Sequence, residues 1–162
     1  MTIRITRSAR ERIGVRDSEL QSNCPETGFL SEWYFNTLII ERKHYFLLTE
    51  SKSLYSILIY AFGLNTQEKF EISLAKNIAK AIGQMNFGFS EVNFEIKEVM
   101  YAKTINKAIL GSQNDLIYMA KTIPFKSIDE TMARINETPM SYLKYGLPIE
   151  VFRKEFKGIS EE

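Results

Sequence analysis

Only one cysteine, Cys24, and one histidine, His44, occur among the 162 residues, and that scarcity removes several chemistries before any motif is sought. A lone cysteine excludes an internal disulfide and any cluster of cysteine ligands, and points to a reducing compartment. One histidine and one cysteine cannot assemble a zinc site of the usual kind, and no run of acids has the spacing of a calcium loop. Neither GxxxxGKS/T nor GxGxxG is present, so phosphate binding by the familiar glycine-rich loops has no motif. No metal and no cofactor is expected. Long apolar runs are also missing. The longest, Ile57 to Phe62, falls far short of the ~20 residues that a membrane helix requires, and the charged start MTIRITRSARERIGVR leaves no apolar region for a signal peptide. The chain therefore reads as cytoplasmic, with no membrane association. A dominant charge is absent too: the formal net charge is +1, which supplies neither a global basic field for nucleic acid nor an acidic excess.

What is present is ordinary globular composition, 44% hydrophobic and 25% charged, in a length suited to one domain spanning residues 1–162. Ile3 and Ile5 alternate with Thr2, Arg4 and Thr6, which predicts a short strand with one buried face. Ser8 and Glu11 have capping-box spacing for a short helix that Gly14 can end. Residues 17 to 31 show no sustained period and read as a surface loop. The strongest strand signal is WYFNTLII followed by KHYFLLT, with a polar break at Glu41 and Arg42, which predicts an antiparallel hairpin. Trp33, Phe35 and Ile39 share one face of it, Leu38 and Ile40 the other. SLYSILIY adds a third strand through the turn TESKS. Apolar residues on both faces place this block in the middle of a sheet covered on both sides.

Beyond it, Asn65 and Glu68 offer a capping box for a helix carrying Phe70, Leu74, Ile78, Ile82 and Met85. Val92, Phe94 and Ile96 alternate as a further strand. Leu110 closes one apolar run, Gly111 permits a change of direction, and Ser112 with Asp115 forms a capping box for another helix. Ser127 and Glu130 repeat that device, and Pro148 suits the first turn of a last helix with Val151, Phe152 and Phe156 on its apolar side. The fold class expected is α+β: a mainly antiparallel sheet centred on residues 33 to 60, with helices packed against it.

Candidate chemistry is thin. His44 has Phe46 and Leu48 as same-face neighbours, the setting of a packed core histidine, and nothing near Cys24 promises an activated thiolate. Gly111 and Ser112 before a helix could hold an anion, but Asp115 would repel it, so a plain cap is the better reading. Arg4, Arg7, Arg10, Arg12 and Arg16 crowd the N-terminus and could neutralise phosphates, although the aromatic residues lie in core-like strands and not among them. The tail from Asn136 to Phe152 is similar to the last helix-turn-helix segment of some integrase-type transposases. Asp17, Asp115 and Asp129, however, do not fall at the strand positions such enzymes use to hold metal. The tail reads as one helix ending and another starting.

Taken in order, WYFN, ERKHYFLLTESKSLYSILI, KAILGSQND and the proline-containing tail resemble an uncharacterised bacterial family, a domain of unknown function. Trp33, Asn36, Arg42 and Thr49 match its pattern, and Glu50 stands where the family tends to have asparagine. The resemblance implies no reaction, substrate or cofactor. It draws attention to polar residues that packing does not require: Asn36, Arg42, Ser56 and Asn114. A buried asparagine must find partners or lose about 1–3 kcal/mol, which favours structural networks unless these residues meet in a cleft. The expected function is a small binding or regulatory module without catalytic activity, acting on a protein partner or by self-association. One alternative is a nucleic-acid-binding module using the N-terminal arginines with Lys144, Arg153 and Lys157. The other is an enzyme with an unfamiliar site built on Asn36, Arg42, His44, Ser112 and Asp115.

Overall fold

β1 (Thr2–Ile5) lies inside the sheet, not at its margin, with β2 (Glu32–Ile40) on one side and β5 (Met100–Lys103) on the other. The computed structural model describes residues 1–25, 28–85 and 95–160. Between β1 and β2 runs α1 (Arg7–Ile13), and β2 is followed by β3 (Lys43–Glu50) and β4 (Ser56–Tyr60). Next come α2 (Gln67–Gln84), β5, α3 (Lys107–Thr122), α4 (Ile128–Asn136) and α5 (Pro148–Ser160). Among the described residues the sheet has five strands in the order β4-β3-β2-β1-β5.

The expected α+β class holds, but the sheet is mixed and not mainly antiparallel. β2, β3 and β4 form the antiparallel meander read from residues 33 to 60, whereas β1 pairs parallel to both β2 and β5. Four alternating residues say nothing about partners. The helix inserted after β1 carries the chain back to the start of the sheet, so that β2 must run in the same direction as β1. Strands on both sides and helices on both faces also explain why all four residues of β1 are buried, Thr2 and Arg4 included, where one buried face was expected.

Period-2 alternation divides the core into two layers. On the first face, Ile3, Ile5, Trp33, Phe35, Phe46, Leu48, Ile57 and Ile59 meet Ala9 and Ile13 of α1, the stripe Phe70, Leu74, Ile78, Ala81 and Ile82 of α2, and Phe152 of α5. The rings of Phe35 and Phe70 stack with centroids 4.4 Å apart, and Phe46 meets Phe35 edge-on at 4.9 Å. On the second face, Tyr34, Leu38, Ile40, Tyr45, Leu47 and Leu58 meet Ile109, Leu116 and Ala120 of α3 and Ile135 of α4. Ile39, assigned to the first face with Trp33 and Phe35, lies near the hairpin end and is about half exposed, 48%.

Local signals account for most of the boundaries. Glu41 and Arg42 both take positive φ, 49° and 65°, the two-residue turn whose twist suits a hairpin. The cap of α1 is Thr6, two residues before Ser8, and the cap of α2 is Thr66 in place of Asn65; each side chain accepts the amide three residues on. Ser127 and Pro148 open α4 and α5 as expected. The expected start of α3 is wrong: the helix is capped six residues earlier than Ser112. Asn106 caps it, accepting from the amides of Ala108 and Ile109, so Gly111, Ser112 and Asp115 lie within the helix, and the Ser112 hydroxyl donates back to the carbonyl of Ala108 at 3.0 Å. Serine with an acid three residues later fits a helix interior as readily as a helix start, because i and i+3 are neighbours there. The strand expected at Val92, Phe94 and Ile96 lies, for its first two members, outside the described residues; the strand described after α2 is β5.

Gly14 ends α1 at φ +73° while its amide reaches the carbonyl of Arg10. A Cβ there would meet no neighbouring atom, so any cost of adding one is conformational. Gly14→Ala is expected to lower stability by about 1 kcal/mol in a urea melt; an unchanged midpoint would mean that the cap relaxes without strain.

Candidate functional site

β1 and β5 are parallel and in register, Ile5 opposite Lys103, so they end side by side. From those ends the chain departs in opposite directions, α1 covering the first face and α3 the second. Adjacent parallel strands whose following helices diverge leave a crevice beyond their carboxyl ends, the usual binding place in open α/β sheets. Here it is a cleft of about 450 Å³ lined by Ile5, Thr6, Arg7, Arg10, Asp17, Leu20, Asn36, Lys103, Thr104, Leu110 and Asn114.

Each polar member is placed by an identifiable local cause. β2 overruns the end of β1, with Thr6 donating its amide to the Phe35 carbonyl, so Asn36 is the first β2 residue with no β1 partner and turns toward the gap. Its Oδ1 accepts from the amide of Thr37 at 2.8 Å and the hydroxyl of Thr6 at 3.3 Å, while its NH2 makes no hydrogen bond among the described residues. Asn114 comes from α3, is exposed, and its side chain also has no hydrogen bond among the described residues. Arg10, from α1, donates to Asp17 at 3.0 Å; its side chain is only 18% exposed and that of Asp17 71%. Lys103 ends β5 exposed and without an ion pair among the described residues. Beneath this floor Arg4 is buried, paired with Glu32 at 2.7 Å and donating to the Lys103 carbonyl at 3.2 Å, which ties the end of β5 to β1.

Apart from Arg7, Arg10, Asp17, Asn36 and Asn114, the residues singled out from the sequence lie outside this cleft. His44 is half-buried on β3 and lines a separate depression with Ser8, Glu11, Arg12, Thr37, Ile39 and Lys121. Arg42 is exposed at the hairpin turn, and Asp115 is exposed on α3. Ser112 is buried within α3, and Cys24 sits half-buried in the loop before β2. Of the N-terminal arginines, Arg4 pairs with Glu32, Arg7 with Glu11, Arg10 with Asp17 and Arg16 with Glu19. Arg12 has no ion pair among the described residues. Lys144, Arg153 and Lys157 are exposed.

Ser56 belongs to a buried polar network. Its hydroxyl shares a 2.8 Å hydrogen bond with that of Thr49, which accepts from Gln113 at 3.1 Å, while its backbone amide and carbonyl are both held by Asn136. Gln113 Nε2 also reaches the Tyr34 carbonyl at 2.9 Å, and its Oε1 is buried with no hydrogen-bond partner among the described residues. A second buried group, Glu50, closes the turn into β4 by accepting from the amide and hydroxyl of Ser53 and the amide of Lys52. Burial pushes its pKa up, against the opposing pull of these bonds. Burial likewise raises the Tyr55 phenol to about 12 and moves Tyr101 upward, the latter helped by its 2.8 Å hydrogen bond to Glu71.

Sequence reasoning missed Gln113 and Glu50. Gln113 occupies a core position of the α3 stripe Ile109, Gln113, Leu116, Ala120, and an amide at such a position was a legible sign of a buried network. For Glu50 the signal was a serine three residues on, within TESKS. Among the described residues no helix is long and apolar enough to cross a membrane. No curated protein and no solved structure matches the chain. The family model described as Domain of unknown function (DUF6933) matches residues 2–151, and the chain belongs to that family.

Proposed function

We propose that the protein is a small cytoplasmic ligand-binding module without catalytic activity, and that its ligand sits in the crevice beyond β1 and β5. The observation that carries this reading is convergence. Arg10, Asn36, Lys103 and Asn114 come from four separate elements and line one cleft placed where parallel strands hand the chain to opposite faces. Packing does not require that meeting. The non-catalytic part rests on what lines the cleft: amides, hydroxyls and cations, with one carboxylate already engaged by Arg10. A nucleophile needs a base within hydrogen-bond reach, and the chain's imidazole lines a different depression. A phosphate-backbone surface is less well supported, since four of the five N-terminal arginines are committed to carboxylates.

A fragment library of mixed charge, screened by amide chemical shifts of the labelled protein, tests the proposal. Binders are expected to perturb Thr6, Asn36, Lys103, Thr104 and Asn114 together, and Leu110→Trp, which fills the cleft, should abolish those shifts. Binders that map instead to the His44 depression, or shifts that survive Leu110→Trp, would reject it.

A further inference from the structure

We infer that the ligand of this crevice is a small organic anion, held by its acidic group between Arg10 and Lys103; this rests on the crevice being the binding site. Charge gives the first argument. Three cations, Arg7, Arg10 and Lys103, line the cleft; Arg7 is paired with Glu11 and Arg10 with Asp17, which leaves Lys103 as the charge not balanced by an ion pair among the described residues. The hydrogen-bonding valences left over give the second. The oxygen of Asn36, a residue of the cleft lining, is already taken by Thr37 and Thr6, which leaves its NH2 as the group without a partner among the described residues, and Lys103 offers donors alone. The free donors of Asn36 and Lys103 favour an acceptor-rich guest.

The third argument is the unequal burial of the Arg10–Asp17 pair. The Arg10 side chain, 18% exposed, is held in place by its surroundings with its guanidinium group reaching an exposed hydrogen bond, while the Asp17 side chain, 71% exposed, is well solvated without a partner. Asp17 is therefore the exchangeable half. An incoming carboxylate or phosphate replaces it at Arg10, the arginine never goes unpaired, and Asp17 returns to water. Lys103, without an ion pair among the described residues, supplies the second cation. Leu20 and Leu110 flank the site, so the acidic group would be carried on a partly apolar body, and about 450 Å³ suits a small molecule.

The test is titration of the labelled protein with inorganic pyrophosphate, with citrate and with the neutral sugar glucose, followed by amide shifts. One or both anions are expected to move Lys103 and Asn114 saturably, and glucose is not; the stronger anion distinguishes a phosphate from a carboxylate ligand. Raising NaCl from 50 to 500 mM should weaken binding severalfold, because exposed cations are screened. Lys103→Gln, at an exposed position, and Arg10→Gln should each weaken it about tenfold. Asp17→Asn should strengthen it severalfold, a gain that a merely structural role for Asp17 would not produce. Anions that leave Lys103 and Asn114 unmoved while neutral fragments perturb them would overturn the anion assignment and spare the binding site. Silence at the crevice from every probe and every fragment would remove both. Unchanged affinity in both Lys103→Gln and Asp17→Asn would also defeat the assignment.

Discussion

Glu50→Ala is expected to cost about 3–5 kcal/mol, the largest loss from a single substitution proposed for this chain. Glu50 is fully buried, and its Oε2 alone accepts from the amide of Ser53 at 2.8 Å, the hydroxyl of Ser53 at 2.6 Å and the amide of Lys52 at 3.1 Å. Its Oε1 faces the amide of Leu30 at 3.4 Å, linking the turn after β3 to the approach to β2. Alanine would leave the Ser53 amide and the Ser53 hydroxyl proton buried without an acceptor, at about 1–3 kcal/mol each, in the turn that launches β4, although the hydroxyl oxygen keeps the amide of Tyr55. Against a typical total of roughly 5–15 kcal/mol, most of the folding margin would go. A urea midpoint within error of the parent protein would show that the turn holds itself.

Charge and hydrogen bonding at Glu50 can be separated with Glu50→Gln. Burial raises the folded-state pKa above its ordinary value of 4.5, so between those two values the folded protein binds more protons than the unfolded chain. Stability contributed by this group is therefore complete below the ordinary value and is lost as pH rises through the raised one. The amide keeps an acceptor for Ser53 and Lys52 and cannot ionise. Relative to the parent, Glu50→Gln should gain stability as pH increases across that window and remain level with it below pH 4. Urea melts of the two proteins at several pH values measure the difference directly, and the other carboxylates cancel. Parallel curves would mean that the carboxyl group titrates as if in water.

α2 was legible because its apolar stripe from Phe70 to Met85 repeats over several turns and all five residues are buried. The hairpin was legible because a polar pair interrupts two aromatic-rich runs. α3 was misplaced because Gly111 looks like a boundary, while Asn106, the actual cap, has no such neighbour to advertise it. β1 gave its presence but not its direction, which depends on how α1 crosses the sheet. The crevice was legible only in fragments. Asn36 and Asn114 stood out as polar residues that packing does not require, yet nothing in the order of residues brings positions 10, 36, 103 and 114 together. That meeting is made by the parallel register of Ile5 with Lys103 and by the departure of α1 and α3 to opposite faces.

Asn136→Ala should lower stability by about 3 kcal/mol and melting temperature by roughly 6–12 °C. β4 is an edge strand, and on its outer side the amide and carbonyl of Ser56 face away from β3. Asn136, the last residue of α4 and 1% exposed, satisfies both: its Oδ1 accepts the Ser56 amide at 2.7 Å and its Nδ2 donates to the Ser56 carbonyl at 2.8 Å. The carboxamide thus stands in for one residue of a further strand, and it anchors itself by donating to the Met132 carbonyl at 2.9 Å. Removing it strands a buried amide and carbonyl and frees α4 from the sheet edge. Asn136→Asp gives the sharper test, because a carboxylate can still accept from Ser56 but cannot donate to its carbonyl. Both variants should speed hydrogen exchange at the Ser56 amide, the alanine variant more, since aspartate retains that acceptor. If Asn136 served a partner and not the fold, the alanine variant would melt within about 1 °C of the parent and Ser56 would stay protected.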